Sequence, residues 1–316
     1  MLKVIISFFI LWTMSQPASA LVDYSDERPA FRPKTRKIIK HAPPRPGPAK
    51  SYDSSTQSRG RVSSQGRPSG IFDIHLLTNV QTVQTNQIDG KVTFYDLQGH
   101  FQTPYNIFMD FRYWLGKTDQ ELISGSSANQ NGNGTAIIGF NWLKFGAPQD
   151  STMVDLYAGG VFKSSGSELG SSRTDKIFGV ETTKDFYTFM LGLGYEYRVT
   201  GVPDSQSEAD IGNISKITVA FGWRVSSDIH FGVESAMLNI AQGEGEKEGQ
   251  FIANKGTYSY LTAKLGLNIS PMVQLQLGGN FRTKKLKNSE TFIAARLWDM
   301  QAAYGNSIFA GLNLSL

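Results

Sequence analysis

Acidic and basic side chains recur two positions apart along residues 71–316. Asp110 and Arg112 form one such pair, and Glu196 and Arg198 form another. Side chains two positions apart lie on the same face of a β-strand, so each pair can share one polar surface. Charged groups of both signs in a confined space can pair with each other or line a path for polar solutes. The spacing therefore predicts a polar surface that either serves small polar molecules or is closed by its own ion pairs.

Histidine is the other residue type that could perform chemistry, as a general base or a metal ligand. The chain has four His, which are His41, His75, His100 and His230. Neither a His-x-Ser nor a Gly-x-Ser-x-Gly pattern accompanies them, so the sequence lends a Ser hydrolase little support. The chain has no Cys, which excludes thiolate nucleophiles, Cys metal ligands and disulfides. We expect no catalytic residues, no cofactor and no metal site, and we keep a lipid-modifying enzyme as a minor alternative.

The residues between the charges indicate which elements must position them. Apolar residues alternate with polar residues or Gly in "NIFMDFRYWL", "DFYTFMLGLGYEYRV", "SYLTAKLGLNI" and "MVQLQLGGNFR". A period of two is typical of β-strands. One face of each segment is almost purely apolar, with aromatic residues towards the ends, and the opposite face carries the charges, Gln and Gly.

Strand length separates two kinds of β protein. The segments run about ten to fourteen residues, whereas strands of soluble proteins most often have about five or six. Tilted strands of about ten residues can cross a bilayer. The sequence therefore predicts an all-β transmembrane, antiparallel, up-and-down β-barrel with lipid outside, and a soluble β-sandwich or barrel is the alternative. Because every backbone group in a bilayer must be paired, the last strand, "SIFAGLNLSL", must pair with the first, "IFDIHLLTNVQTV".

Loop length predicts the number of strands. The predicted strands are 71–85, 91–101, 105–116, 134–146, 151–164, 172–181, 184–199, 213–225, 228–241, 256–269, 272–284 and 306–316. Short periplasmic turns and long outer loops then alternate after the first connection, which favours about twelve strands. Ten or fourteen strands are the alternatives, and residues 286–305 are the ambiguous region. Within it, residues 291–304 fit a strand, a helix or a loop that folds inward.

Two further regions precede the predicted barrel. Residues 1–20 are predicted to be a secretory signal peptide, because Lys3 precedes an apolar run that ends in a small-residue cleavage site, and an uncleaved anchor is the alternative. Residues 21–70 are rich in Pro and Ser and carry eleven Lys and Arg against four Asp and Glu. This composition predicts a disordered periplasmic arm. The arm either binds an anionic envelope polymer such as peptidoglycan or is a solvated linker.

The C-terminus carries a resemblance to a known class. Gly311, Leu314 and Leu316 resemble the C-terminal recognition signal of Gram-negative outer-membrane β-barrels, although Leu replaces the preferred terminal Phe or Trp. The resemblance names the porin-like class and no specific family within it. It implies a bacterial outer-membrane location, assembly by the barrel-assembly machinery, and contact with membrane lipid and lipopolysaccharide. An exported chain is not expected to bind nucleic acid.

The predicted function follows from the inward face of the barrel. We expect a porin-like channel or binding barrel for small polar solutes, and the alternative is a plugged structural, anchoring or adhesin-type barrel. The predicted lumen-lining residues are Asp96, His100, Asp110, Arg112, Glu196, Arg198, Arg224, Glu234, Lys264 and Arg282.

Overall fold

Alternating apolar and polar residues form twelve long strands in the computed structural model. It describes residues 72–84, 89–118, 130–147, 150–164, 167–245, 249, 251–287 and 289–316. The predicted signal peptide and basic arm lie outside the described residues. The first six strands are β1 (Phe72–Gln84), β2 (Asp89–Gln102), β3 (Ile107–Thr118), β4 (Gly134–Ala147), β5 (Asp150–Phe162) and β6 (Asp175–Phe186). The next six are β7 (Phe189–Val199), β8 (Ile211–Arg224), β9 (Ile229–Gln242), β10 (Gly256–Ser270), β11 (Val273–Lys284) and β12 (Ser307–Ser315).

The strands close into one antiparallel barrel. Each strand pairs with the next in chain order, and β12 pairs with β1 in a register that runs from Asp73 opposite Ser315 to Gln81 opposite Ser307. A two-residue strand, Gln130–Asn131, adds to the side of β3. The prediction of a closed, up-and-down barrel of twelve strands, in which the last strand pairs with the first, is therefore confirmed.

The connections fall into two groups, one at each end of the barrel. The turn end has short connections, which are residues 103–106, 148–149, 187–188, 225–228 and 271–272, together with the start of β1 and the end of β12. The loop end has residues 85–88, 119–133, 163–174, 200–210, 243–255 and 285–306. The predicted alternation of short turns and long loops is thus confirmed.

One predicted turn was wrong. The polar segment "ETTK", residues 181–184, was placed between two strands, but it lies inside β6, which continues to Phe186. Phe186 pairs with Phe189, so the turn consists of Tyr187 and Thr188, and Tyr187 has a φ of 51°. Strand pairing depends on backbone hydrogen bonds and does not require apolar side chains, so a polar segment can extend a strand near its end.

The outward face is apolar and exposed. Ile138, Leu193 and Val219 are each more than half exposed. Tyr105 and Tyr187, at turns, are exposed by 80% and 73%. In water this much contiguous apolar surface would be costly. The pattern is typical of an outer-membrane barrel, whose apolar band faces lipid between girdles of aromatic residues.

Among the described residues, helical structure is minor. Helix α1 (Ser289–Ala294) covers six residues in the connection between β11 and β12. The described part of the chain contains no helix with the length and apolar character that crossing a membrane requires.

Candidate functional site

The connection between β11 and β12 folds into the barrel. Residues 285–306, called the inward loop below, bury the side chains of Phe292, Leu297, Trp298 and Tyr304. These side chains join one apolar cluster with inward residues from the loop end of the strands, including Val83, Val92, Phe94, Trp114, Ile211, Ile214, Leu238, Ile240, Tyr258 and Tyr260. Of the three alternatives for residues 291–304, the structure contains a loop folded inward, with one short helix at its start. The loop end of the lumen is therefore packed like the core of a soluble protein.

Tyr304 fixes the shape of the inward loop. Its hydroxyl donates to the carbonyl oxygen of Phe292 at 2.5 Å and accepts from the backbone N–H of Leu297 at 2.6 Å. The rings of Tyr304 and Trp298 have centroids 4.3 Å apart. Burial raises the pKa of the Tyr304 phenol above its ordinary value, so the hydroxyl keeps the proton that it donates. The loop is thus held in one conformation by its own contacts as well as by the barrel wall.

A buried ionic cluster surrounds the base of two neighbouring loops. Arg173 Nη1 lies 2.8 Å from Glu208 Oε1, and neither side chain is exposed. Glu208 also accepts hydrogen bonds from the hydroxyls of Ser171 and Ser172, at 2.6 and 2.8 Å. Because a buried charge is costly without a partner, these contacts fix the loops 163–174 and 200–210 to each other.

The cluster extends into the inward loop through Arg guanidinium groups. Arg173 donates to the carbonyl oxygen of Ala295 at 2.7 Å. Arg198 donates to Asp299 Oδ2 at 2.6 Å, and Arg112 donates to the carbonyl oxygen of Asp299 at 3.1 Å. Charge-assisted hydrogen bonds of this kind are stronger than neutral ones. Two cations of the barrel wall, Arg112 and Arg198, therefore hold the inward loop through Asp299.

A cavity of about 190 Å³, lined by charged, polar and apolar side chains, lies inside the barrel beneath Asp299, Met300 and Gln301. Its lining includes seven of the predicted lumen residues, which are Asp96, His100, Asp110, Arg112, Glu196, Arg198 and Lys264. Several of them pair with each other. Arg112 Nη2 lies 2.6 Å from Asp96 Oδ2, and His100 Nδ1 lies 2.5 Å from Asp110 Oδ1.

The other three predicted lumen residues lie outside the lining of this cavity. Glu234 is 1% exposed, with Lys264 and Lys216 at 3.9 and 4.0 Å. Arg282 donates to the carbonyl oxygen of Ala303 at 3.4 Å. Arg224 is partly buried at the turn end of β8. That these ten residues serve a passing solute stays a prediction.

The predicted assembly signal lies on β12 and at the chain end. Leu314 shares the outward face of β12 with the exposed Leu312, and Leu316, just beyond the strand, is 64% exposed. Gly311 is on the opposite, inward face, and it pairs with Leu77 and Gln276. Recognition of these residues by the assembly machinery stays a prediction.

Sequence reasoning missed the residues that hold the inward loop. Glu208 and Asp299 lie in long connections, where no period of two assigns a face, and Arg173, inside the predicted strand 172–181, lies in the connection before β6, which begins at Asp175. They are far apart in the chain, so no local motif joins them. The only signal was the ambiguity of residues 286–305, whose apolar content is high for an exposed loop.

Comparisons with known proteins bear on the fold. No family model matches the chain, and no curated protein matches it. An outer membrane channel from Pseudomonas putida F1 aligns with a TM-score of 0.57 and 8% identity, over 83% of this chain and 100% of that one.

Two further solved structures are less similar. The NanC porin has a TM-score of 0.48 and 10% identity, over 78% of this chain and 100% of that one. Outer membrane phospholipase A from Escherichia coli has a TM-score of 0.42 and 13% identity, over 77% and 92%. At these identities the likeness concerns the fold alone. Of the three structures, the Pseudomonas channel, with its TM-score of 0.57, supports the shared fold. The closed twelve-stranded sheet and the likeness to the Pseudomonas channel show that the chain has the fold of an outer-membrane β-barrel, with an apolar band exposed on its outer face.

Proposed function

We propose that the protein is a porin-like channel or binding barrel for small polar solutes, closed at its loop end by the inward loop. The observation that carries the proposal is the set of charged and polar side chains that line the cavity beneath Asp299, inside a barrel whose outer wall is apolar. A barrel that served only as a scaffold could fill this space with apolar side chains at no cost in hydrogen bonding.

The attachment of the inward loop supports a gate. Arg112 and Arg198 of the wall and Arg173 of the loop 163–174 donate hydrogen bonds to the inward loop. All three cations also have acidic partners on the wall or in neighbouring loops, which are Asp96, Asp175 and Glu208. The cations would therefore remain paired if the loop moved away, which lowers the cost of opening.

Planar-bilayer recording tests the proposal directly. The chain without residues 1–20 is expected to give stable ohmic steps, and Asp299→Asn is expected to increase the open fraction severalfold because it weakens the bond to Arg198. Asp204→Asn is the matched control, since Asp204 pairs with Lys163 at an exposed position away from the cavity. Silence from wild type and Asp299→Asn, both folded by heat-modifiable gel migration, would contradict conduction.

A plugged structural or anchoring barrel is the second candidate. The extensive apolar cluster between the inward loop and the wall favours it, because burial of this kind is hard to reverse. In this case residues 21–70 would bind an anionic envelope polymer such as peptidoglycan. The chain with and without residues 21–70 would then differ in its sedimentation with cell-wall sacculi, and equal sedimentation would remove the anchoring role.

We infer that the protein is not an enzyme. His75, His100 and His230 are all buried, and among the described residues none of them hydrogen-bonds to a Ser or Thr hydroxyl. A Ser hydrolase requires that contact or one close to it. Release of fatty acid from phospholipid vesicles by the purified barrel, lost in His100→Ala, would overturn this inference.

Contacts with the envelope complete the proposal. The exposed apolar band would contact membrane lipid and lipopolysaccharide. The C-terminal residues Gly311, Leu314 and Leu316 would be recognised by the barrel-assembly machinery. Substitution of Leu316 by Asp is expected to reduce the amount of barrel inserted in cells, and unchanged insertion would contradict the recognition role.

A further inference from the structure

Several polar atoms that line the cavity have no hydrogen-bond partner among the residues that the structure describes. They include both ring nitrogens of His75, Nε2 of His100, Nε2 of Gln276, Oδ1 of Asn79 and Oε1 of Gln301. His75 and Gln276 are each 1% exposed, and His100 is 3% exposed. Buried polar groups are almost always hydrogen-bonded, so a cluster that faces one cavity indicates a polar occupant.

The atoms form a mixture of donors and acceptors. The amide nitrogen of Gln276 donates, whereas the amide oxygens of Asn79 and Gln301 accept. His100 is bound to Asp110 through Nδ1, so its Nε2 accepts when the ring is neutral. A hydroxyl group both donates and accepts, and several hydroxyls on one molecule would satisfy such a mixture.

The formal charges of the described lining are balanced, since four acids accompany four cations: Asp96, Asp110, Glu196 and Asp299, with Arg112, Arg198, Lys216 and Lys264. Arg112 lies against Asp96, Arg198 lies against Asp299, and Lys264 lies 3.9 Å from Glu234. Glu196 is directly opposite Lys216 in the pairing of β7 and β8. A charged solute would have to compete with these partners, whereas a neutral solute would not.

One wall of the cavity is apolar. Ile137, Val161 and Ile177 line it from β4, β5 and β6 and belong to one apolar cluster. Because twelve strands close in chain order, this wall is opposite β10, β11 and β12, which carry Lys264 and Gln276. A molecule that fits has an apolar face for one wall and hydroxyls for the other.

We propose that the cavity binds a neutral, hydroxyl-rich ring compound with the chemistry of a monosaccharide. The proposal deepens the proposed function, since it names the class of polar solute. The volume of about 190 Å³ equals roughly six water molecules at ~30 Å³ each, which suits one small ring and excludes an oligosaccharide from full enclosure.

Calorimetric titration of the detergent-solubilised barrel with three related sugars tests the proposal. Glucose is neutral, glucuronate carries a negative charge and glucosamine carries a positive charge, on the same ring. We expect saturable binding of glucose, with each charged analogue at least about tenfold weaker. Gln276→Leu is expected to weaken glucose binding about tenfold, as the loss of a buried hydrogen bond usually does.

Gln274→Leu is the matched control. Gln274 lies two positions away on the same face of β11 and is equally buried, but it is bound to Asn268 and does not line the cavity. If Gln276→Leu fails to fold by heat-modifiable migration, Asn79→Ala replaces it. Glucose is expected to bind Gln274→Leu as it binds wild type.

The outcomes separate this proposal from the proposed function. Absence of saturable glucose binding, tighter binding of either charged sugar, or equal effects of the two Gln variants would overturn the sugar site, and single-channel steps would still support conduction. Glucose binding that depends on Gln276, from a protein that shows no steps, would support the site and contradict the channel.

Discussion

The loop end and the middle of the lumen are built from the same twelve strands but differ in the inward side chains that they carry. At the loop end the inward side chains are Val, Ile, Phe, Trp and Tyr, packed against the inward loop. Nearer the middle they are Asp, His, Gln and Lys around a cavity. The alternation along each strand determines which side chains point inward. Those side chains are apolar where the inward loop packs against them, and charged or polar where they line the cavity. Among the described residues, the inward loop packs against apolar side chains at the loop end, and charged and polar side chains line the cavity next to it.

The two regions also differ in how their buried side chains are satisfied. The loop end combines apolar packing with the buried contacts of Arg173 and Glu208. The cavity is lined by buried polar atoms that have no hydrogen-bond partner among the described residues. We expect substitutions at the loop end to change stability and substitutions around the cavity to change binding.

The largest expected effect is at the buried ionic cluster. Glu208→Leu leaves the fully buried Arg173 without its closest acid and is expected to lower the free energy of unfolding by about 3–5 kcal/mol. Guanidinium unfolding from detergent micelles, followed by Trp fluorescence, measures it. Asp204→Leu in the same loop removes only an exposed pair with Lys163, so little or no change is expected. Equal losses in the two variants would show that the buried cluster has no special role.

The second largest effect is expected when an Arg is placed on the outward face of a strand, compared with an Arg in a loop. Leu193→Arg places a charge in the apolar band and is expected to destabilise the barrel in lipid vesicles by about 2–4 kcal/mol if it lies near the bilayer midplane. Phe251→Arg is the control, since Phe251 is equally exposed, at 58% against 57%, but lies in a loop. Its expected change is about 0.5 kcal/mol or less. If Phe251→Arg lowered the stability of the barrel as much as Leu193→Arg does, the assignment of the outward strand face to lipid would be contradicted.

A smaller effect is expected inside the inward loop. Tyr304→Phe removes the acceptor of the Leu297 N–H and the donor to Phe292, at an expected cost of about 1–3 kcal/mol. Because burial raises the pKa of Tyr304, the stability that its neutral phenol contributes is present below about pH 10 and is lost as pH rises towards the folded pKa. The difference in unfolding free energy between wild type and Tyr304→Phe should therefore be constant from pH 7 to 9 and shrink above pH 10. A difference that falls between pH 7 and 9 would contradict the buried, neutral phenol.

The sequence was sufficient for the fold because the strands are regular. Alternation assigned the faces of segments such as "SYLTAKLGLNI", and loop length assigned the ends of the barrel. The turn at Tyr187 was missed because polar residues such as Thr182 continue a strand when its backbone remains paired. The candidate site was predicted only where it lies on strands, as at Asp96 and Arg112.

The remainder of the site depends on contacts between distant parts of the chain. Arg173 contacts Glu208 and the carbonyl oxygen of Ala295, and Asp299 contacts Arg198, because three loops meet at one end of the barrel. No local pattern encodes that meeting. The apolar residues of the inward loop, such as Trp298, gave the one hint, since an apolar loop must be covered by something.

The most direct test of the account is a reversible disulfide bond that ties the inward loop to the loop 200–210. The chain has no Cys, so Ala209→Cys with Ala294→Cys introduces a single Cys pair, at positions whose backbones are hydrogen-bonded at 3.0 Å. Planar-bilayer recording would compare the oxidised and reduced double variant, with Ala209→Cys alone as the control. The account predicts that oxidation abolishes the conductance steps and that reduction restores them, while the single variant ignores both treatments. Identical conductance from the oxidised, fully cross-linked form and the reduced form would contradict a gate formed by the inward loop.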